Sequence, residues 1–95
     1  MIELGGNIKL DGFSEVKPAD LVIVKKLIGN HVKGICDRNG DFKDIVIRLQ
    51  SSPEKRLFMF ETTLSLDKEY RSNAEGENLF FTLDKAFKQL HGQFP

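Results

Sequence analysis

A single cysteine, Cys36, in a chain of 95 residues excludes an internal disulfide, a four-thiolate zinc site and a Cys-x-x-Cys redox pair. Without a thiol framework the fold must stand on a hydrophobic core, and a reducing cytoplasm is its expected setting. Tryptophan is absent, and the three prolines, Pro18, Pro53 and Pro95, are isolated from one another, so no proline-rich linker is present. No stretch approaches the roughly 18 consecutive apolar residues of a membrane span. Met1 to Leu10 also lacks the basic-then-apolar order of a secretory signal, so neither insertion nor secretion is expected. An excess of charge is missing too, because 14 Lys and Arg balance 14 Asp and Glu. No global positive field draws the chain toward nucleic acid, and any such contact has to come from a local patch.

What remains is the composition of a globular domain, 40% hydrophobic and 29% charged with eight Phe, in a length that supports one core and so one domain over residues 1–95. Ile8 and Leu10 alternate with Lys9 and Asp11 as a half-buried strand, ended by Gly12. Pro18 suits the first position of a helix and Asp20 its first turn. From there Leu21, Val24, Ile28, Val32 and Ile35 recur every three or four residues, the stripe of an amphipathic helix. Gly29 and Gly34 weaken it by about 1 kcal/mol each, which predicts a kink or an early end near Gly34. Asp37-Arg38-Asn39-Gly40-Asp41 reads as a turn.

Ile45, Ile47 and Leu49 alternate with Asp44, Val46 and Arg48 as a second strand, and Ser51-Ser52-Pro53-Glu54 is read as the next break. Phe58, Phe60, Thr62, Leu64 and Leu66 share one face of a third strand, while Met59, Glu61, Thr63 and Ser65 share a largely wet one. Asp67-Lys68 then reverses the chain into a fourth strand carrying Tyr70, Ser72 and Ala74, closed by Gly76. Asn78 is the expected cap of a last helix with the stripe Leu79, Phe80, Leu83, Phe87, Leu90 and Phe94. Two amphipathic helices and a sheet with one apolar face pack most simply as an α+β, two-layer β-α-β-β-β-α sandwich. Its four-stranded sheet carries both helices on one face, in a layout like that of double-stranded-RNA-binding domains.

The run Phe60-Glu61-Thr62-Thr63-Leu64-Ser65-Leu66, the Asp67-Lys68 hairpin, then Ala74-Glu75-Gly76-Glu77, Leu79-Phe80, Leu83-Asp84, Leu90 and Gln93 resembles the ribosome hibernation-promoting factor family, also called the sigma-54 modulation proteins. The segment Arg56 to Phe94 carries most of the likeness, which is gap-free over roughly 35 residues; Lys26-Leu27 in the first helix continues it, whereas Gly29 to Asp44 does not align cleanly. Ending at Pro95, the chain is similar to the short members, without the extra C-terminal domain of the long ones. The resemblance implies a cytoplasmic, ribosome-associated inhibitor of translation in the stress response. It would sit on the small ribosomal subunit and contact its rRNA through a basic surface, without enzymatic activity or a cofactor. The alternative is a divergent relative that acts as a protein-interaction domain without ribosome binding, a homodimer through an exposed sheet edge being one form of it.

Outward lysines on the two helices, Lys25, Lys26, Lys33, Lys85 and Lys88, are the candidate rRNA-binding residues, because phosphate neutralisation dominates such contacts. Solvation alone is the competing role for them. Phe81 falls beside Lys85 and Lys88 on the helix, where an aromatic can stack on a base, although burial at the sheet edge is the commoner fate. The sheet's other face mixes Lys9, Arg48 and Arg71 with Glu61, Glu69 and Glu75 and displays no aromatics, which argues against a base-reading sheet. His31 and His91 have no sequence partner at metal-site spacing, and Cys36 reads as a small hydrophobe. Asp37-x-Asn39-x-Asp41 opens like a calcium loop, but Gly40 is misplaced and Arg48 stands where a bidentate glutamate belongs. No metal site is expected. Neither a phosphate-binding glycine loop nor a nucleophile elbow occurs.

Overall fold

A computed structural model describes residues 2–3, 7–14, 16–40, 42–52 and 56–93. Its elements run β1 (Ile2–Glu3), β2 (Ile8–Asp11), α1 (Pro18–Asn39), β3 (Asp44–Ser52), β4 (Leu57–Ser65), β5 (Glu69–Gly76) and α2 (Leu79–His91). The expected β-α-β-β-β-α sandwich is the architecture observed, with β2 to β5 as its four strands. The two-residue β1 pairs antiparallel with the outer edge of β2, an addition that the sequence pattern did not contain. The α1 crossover makes β2 and β3 parallel, with Leu10 beside Ile47, and the remaining pairs are antiparallel.

One face of the sheet packs against both helices. Leu10, Ile45, Ile47, Phe60 and Leu64 from the strands meet Val24, Ile28 and Ile35 from α1 and Leu83, Phe87 and Leu90 from α2, and every one of them is buried. These are the residues at period two and at spacings of three and four, so the alternation read from the sequence is the alternation of burial.

The long first helix departs from expectation. Neither Gly29 nor Gly34 ends α1, which continues through Asp37, Arg38 and Asn39 to a Gly40 cap with φ of 78° and a Gly40 N–H bond to the Cys36 carbonyl of 2.9 Å. Burial of Val32 and Ile35 on the core outweighs the helix penalty of two glycines. The expected turn therefore begins only at Gly40, and Asp41 lies outside the described residues. Ser51 and Ser52 likewise extend β3, paired with Phe58 and Leu57, so the break falls beyond them, where Pro53 and Glu54 also lie outside the described residues.

Two glycines sit where neighbouring segments approach closely. Gly12 has φ of 81°, and a Cβ there would fall 2.2 Å from the Leu49 carbonyl oxygen, so the chain leaving β2 lies directly on β3. A Cβ on Gly76 would meet Thr82 Oγ1 at 2.6 Å, which marks how tightly α2 seats on β5. The hairpin turns at Asp67-Lys68 as read, with Leu66, expected in the strand, just past the end of β4, and the Tyr70 hydroxyl donates to Asp67 at 3.1 Å. This bond is the main cause holding the Asp67 carboxyl below its usual range. Among the described residues no helix is long and apolar enough to cross a membrane.

Candidate nucleic-acid interface

The cap of α2 comes first, because it aims every side chain behind it. Asn78 is extended and its Oδ1 accepts the Phe81 N–H at 2.9 Å, while the Thr82 hydroxyl donates to the Asn78 carbonyl. With the start pinned in this way, Leu79, Thr82, Leu83, Ala86, Phe87 and Leu90 turn inward. At 100° per residue the opposite ridge of the helix carries Phe81, Lys85 and Lys88. Phe81 is 77% exposed, so the burial that is the common fate of such an aromatic does not occur.

All five candidate lysines are exposed. On α1, Lys26 and Lys33 project away from the sheet. Lys25 sits three residues before Ile28 and His31 three after it, hence on opposite flanks. His31 faces α2, with Nε2 3.0 Å from Asp84 Oδ1, so Lys25 lies on the flank away from α2. Asp84 is shared, because Lys88 Nζ reaches its other oxygen at 3.0 Å. Those two partners, Lys88 foremost, hold the Asp84 carboxyl below the usual carboxylate range. Lys85 makes no ion pair among the described residues.

Charge is divided between the two layers. Helix α1 carries four basic residues (Lys25, Lys26, Lys33, Arg38) against two acidic ones, and α2 carries two (Lys85, Lys88) against one, so the helical layer is positive by three. Since the chain is neutral, the strands and loops are negative by three. The open face of the sheet has Lys9, Arg48 and Arg71 against Asp11, Asp44, Glu61, Glu69 and Glu75, and its basic groups are partly taken up. Arg71 lies 3.1 Å from Glu69, and Arg48 lies 3.7 Å from Asp11. A shallow concavity of 290 Å³ on this face is lined by Arg48, Gln50, Met59, Glu61, Asn73 and Glu75. It offers no basic ridge.

Between the helices lies a cluster that the sequence did not reveal. His31 stacks on Phe87 with ring centroids 4.5 Å apart and planes 1° from parallel, and the His91 ring lies 5.6 Å from His31. Burial, with the charges of His31 and Arg38 adding to it, pushes the His91 imidazole below its ordinary value. The signal was present only in outline: Asp84 and His91 flank Phe87 by three and four residues, which puts them on one side of α2. No group of three His, Cys, Asp or Glu among the described residues has the geometry of a metal site. Asp37 and Asn39, read as the start of a loop with calcium-like spacing, are helical. Cys36 packs half-buried against the core.

No family model matches the chain, and no curated protein matches it by sequence. Solved structures do. A ribosomal subunit interface protein from Coxiella burnetii superposes with a TM-score of 0.70 at 18% identity, covering 92% of this chain and 91% of that one. The N-terminal domain of Protein Y from Thermus thermophilus does so with a TM-score of 0.64 at 19% identity, covering 90% of each. The chain thus has the fold of these proteins over almost its whole length, at a sequence distance where fold is what the likeness carries.

Proposed function

We propose that this protein is a ribosome-associated inhibitor of translation, a short hibernation factor that lies on small-subunit rRNA through its helical layer. The observation that carries the reading is the division of charge, which gives a neutral chain one positive face on the layer that also displays Lys25, Lys26, Lys33, Lys85 and Lys88. The likeness to a ribosomal subunit interface protein and to the N-terminal domain of Protein Y supports the partner. Phosphate contacts supply sequence-independent affinity that falls steeply with salt, as expected of a protein that recognises a fixed RNA scaffold. The role is one of binding, with no reaction assigned to it, and it belongs in the cytoplasm where ribosomes work.

Cosedimentation with ribosomes on sucrose gradients at rising salt tests the reading. The protein should travel with small-subunit fractions at low salt and leave them as salt rises. Absence from those fractions at low salt rejects the proposal.

A second reading, a protein-interaction domain that pairs with its own copy along the β5 edge, draws on the zero net charge and on β5 ending the sheet. Against it, the Gln93 amide donates to the Arg71 carbonyl and so occupies part of that edge. A sedimentation-equilibrium mass of a monomer at high micromolar concentration eliminates this reading.

A further inference from the structure

Phe81 has no structural reason to be where it is. It projects from α2 on the side opposite the buried stripe, 77% exposed, in a helix whose cap, inward face and core contacts are complete without it. Exposed apolar residues scattered singly are ordinary, but an aromatic ring standing on a rigid, capped first turn is pre-organised for a flat partner. The Asn78 bond to the Phe81 N–H fixes the backbone that carries the ring.

Its surroundings point to one kind of partner. Lys85 is one turn along the same ridge and Lys88 two turns, about 6 and 10.5 Å away along the axis. Lys88 is drawn back by Asp84, whose carboxylate is turned toward His31 and α1, whereas Lys85 makes no ion pair among the described residues. A ring followed by a cation one turn on can hold a base on its face and a neighbouring phosphate beside it. That combination recurs wherever single strands are bound without reading sequence. Duplex RNA keeps its bases stacked inside and has nothing to lay on such a ring.

Resting on the ribosomal reading above, we infer that Phe81 and Lys85 form a stacking site for an unpaired nucleotide, so that the RNA beneath the helical layer is single-stranded at this point.

The chain contains no tryptophan, so Phe81→Trp installs a single fluorescent reporter in the full-length protein. With a mixed-sequence 12-nucleotide single-stranded RNA, its emission should be quenched in a saturable way, and the same RNA annealed to its complement should quench it far less. Phe81→Ala should weaken single-strand binding about 5- to 150-fold, and Phe81→Leu, which keeps the apolar bulk without the flat π-face, should not restore it. Both variants should melt like the wild type, since the ring touches no core.

Equal quenching by duplex, or full affinity in Phe81→Leu, overturns the stacking site. So does a self-association of the wild type that Phe81→Ala abolishes, because the ring would then belong to a second copy. Small-subunit cosedimentation run in parallel separates the two ideas. If Phe81→Ala and wild type sediment with the subunit alike and the reporter is unquenched, stacking fails while the ribosomal reading stands. If the wild type does not sediment at all, the ribosomal reading falls and the oligonucleotide result decides the stacking site by itself.

Discussion

The two surfaces of this sandwich are built from similar numbers of charged residues and differ in what those charges meet. On the open face of the sheet, side chains of opposite sign stand across from one another at the spacing of paired strands, as Arg48 opposite Glu61. On the helices the register of three and four puts Lys85 and Lys88 along one ridge, while the acidic Asp84 turns inward to His31. A net charge of zero therefore conceals an asymmetric molecule. A sum over the sequence is a poor guide to a surface, because fields at the surface fall off within a Debye length of about 8 Å.

The largest effect expected on this comparison comes from unseating the positive face. Phe87 is fully buried and stacks on His31, so Phe87→Ala should cost about 3–5 kcal/mol in urea unfolding. Met59→Ala, on the half-buried open face, should cost far less, roughly 1 kcal/mol. Comparable losses from the two would mean that the faces are not energetically distinct.

Charge reversal addresses function directly. Lys85→Glu with Lys88→Glu should weaken cosedimentation with ribosomal subunits and flatten its salt dependence by roughly 1 logarithmic unit per lost phosphate contact. Arg48→Glu with Arg71→Glu on the sheet should leave both quantities nearly unchanged. Equal slopes from the two pairs would assign the lysines to solvation.

The cluster between the helices predicts a pH dependence. Burial holds the His91 imidazole below the ordinary 6.5 in the folded state, so the unfolded chain binds more protons in this range. Its contribution to stability is complete above pH 6.5 and is lost as pH falls from there through the depressed folded value. Urea midpoints measured from pH 8 down to pH 5 should fall in the wild type and fall less in His91→Gln. Asp84 acts at the acid end, where its lowered pKa contributes stability above 3.8 that is lost as pH falls through its lower folded value.

The smallest expected change is a gain. Gly29 and Gly34 have open space where a Cβ would go, so Gly29→Ala and Gly34→Ala should each stabilise the protein by roughly 0.5–1 kcal/mol, read as a rise in Tm. A loss at either position would mean that the added methyl meets a neighbour of α1, against the open space found there.

Much of this molecule was legible one element at a time. The period-two pattern of Ile45, Ile47 and Leu49, the Asn78 cap and the spacing of Leu83, Phe87 and Leu90 all predicted what is observed, since each depends on contacts close in the chain. The misreadings fall at boundaries. Local preference favours a turn at Asp37 to Asn39, which the core beneath Ile35 holds helical, and Ser51 and Ser52 are drawn into β3 by their pairing with β4. The exposure of the five lysines was legible, whereas the meeting of His31 with Asp84, 53 residues apart, was not.

By itself the sequence determined which side of each helix is apolar and so which lysines face water, because 3.6 residues per turn is a local property of the backbone. Only the tertiary structure decided what those sides become. The close seat of Thr82 on Gly76 sets the roll of α2 on the sheet, and that roll turns the ridge of Phe81 and Lys85 outward. The pairing of His31 with Asp84 settles which flank of α1 meets its neighbour and which carries Lys25 away from it. Contacts between distant residues fix the orientation of elements, and the character of a surface follows from that orientation.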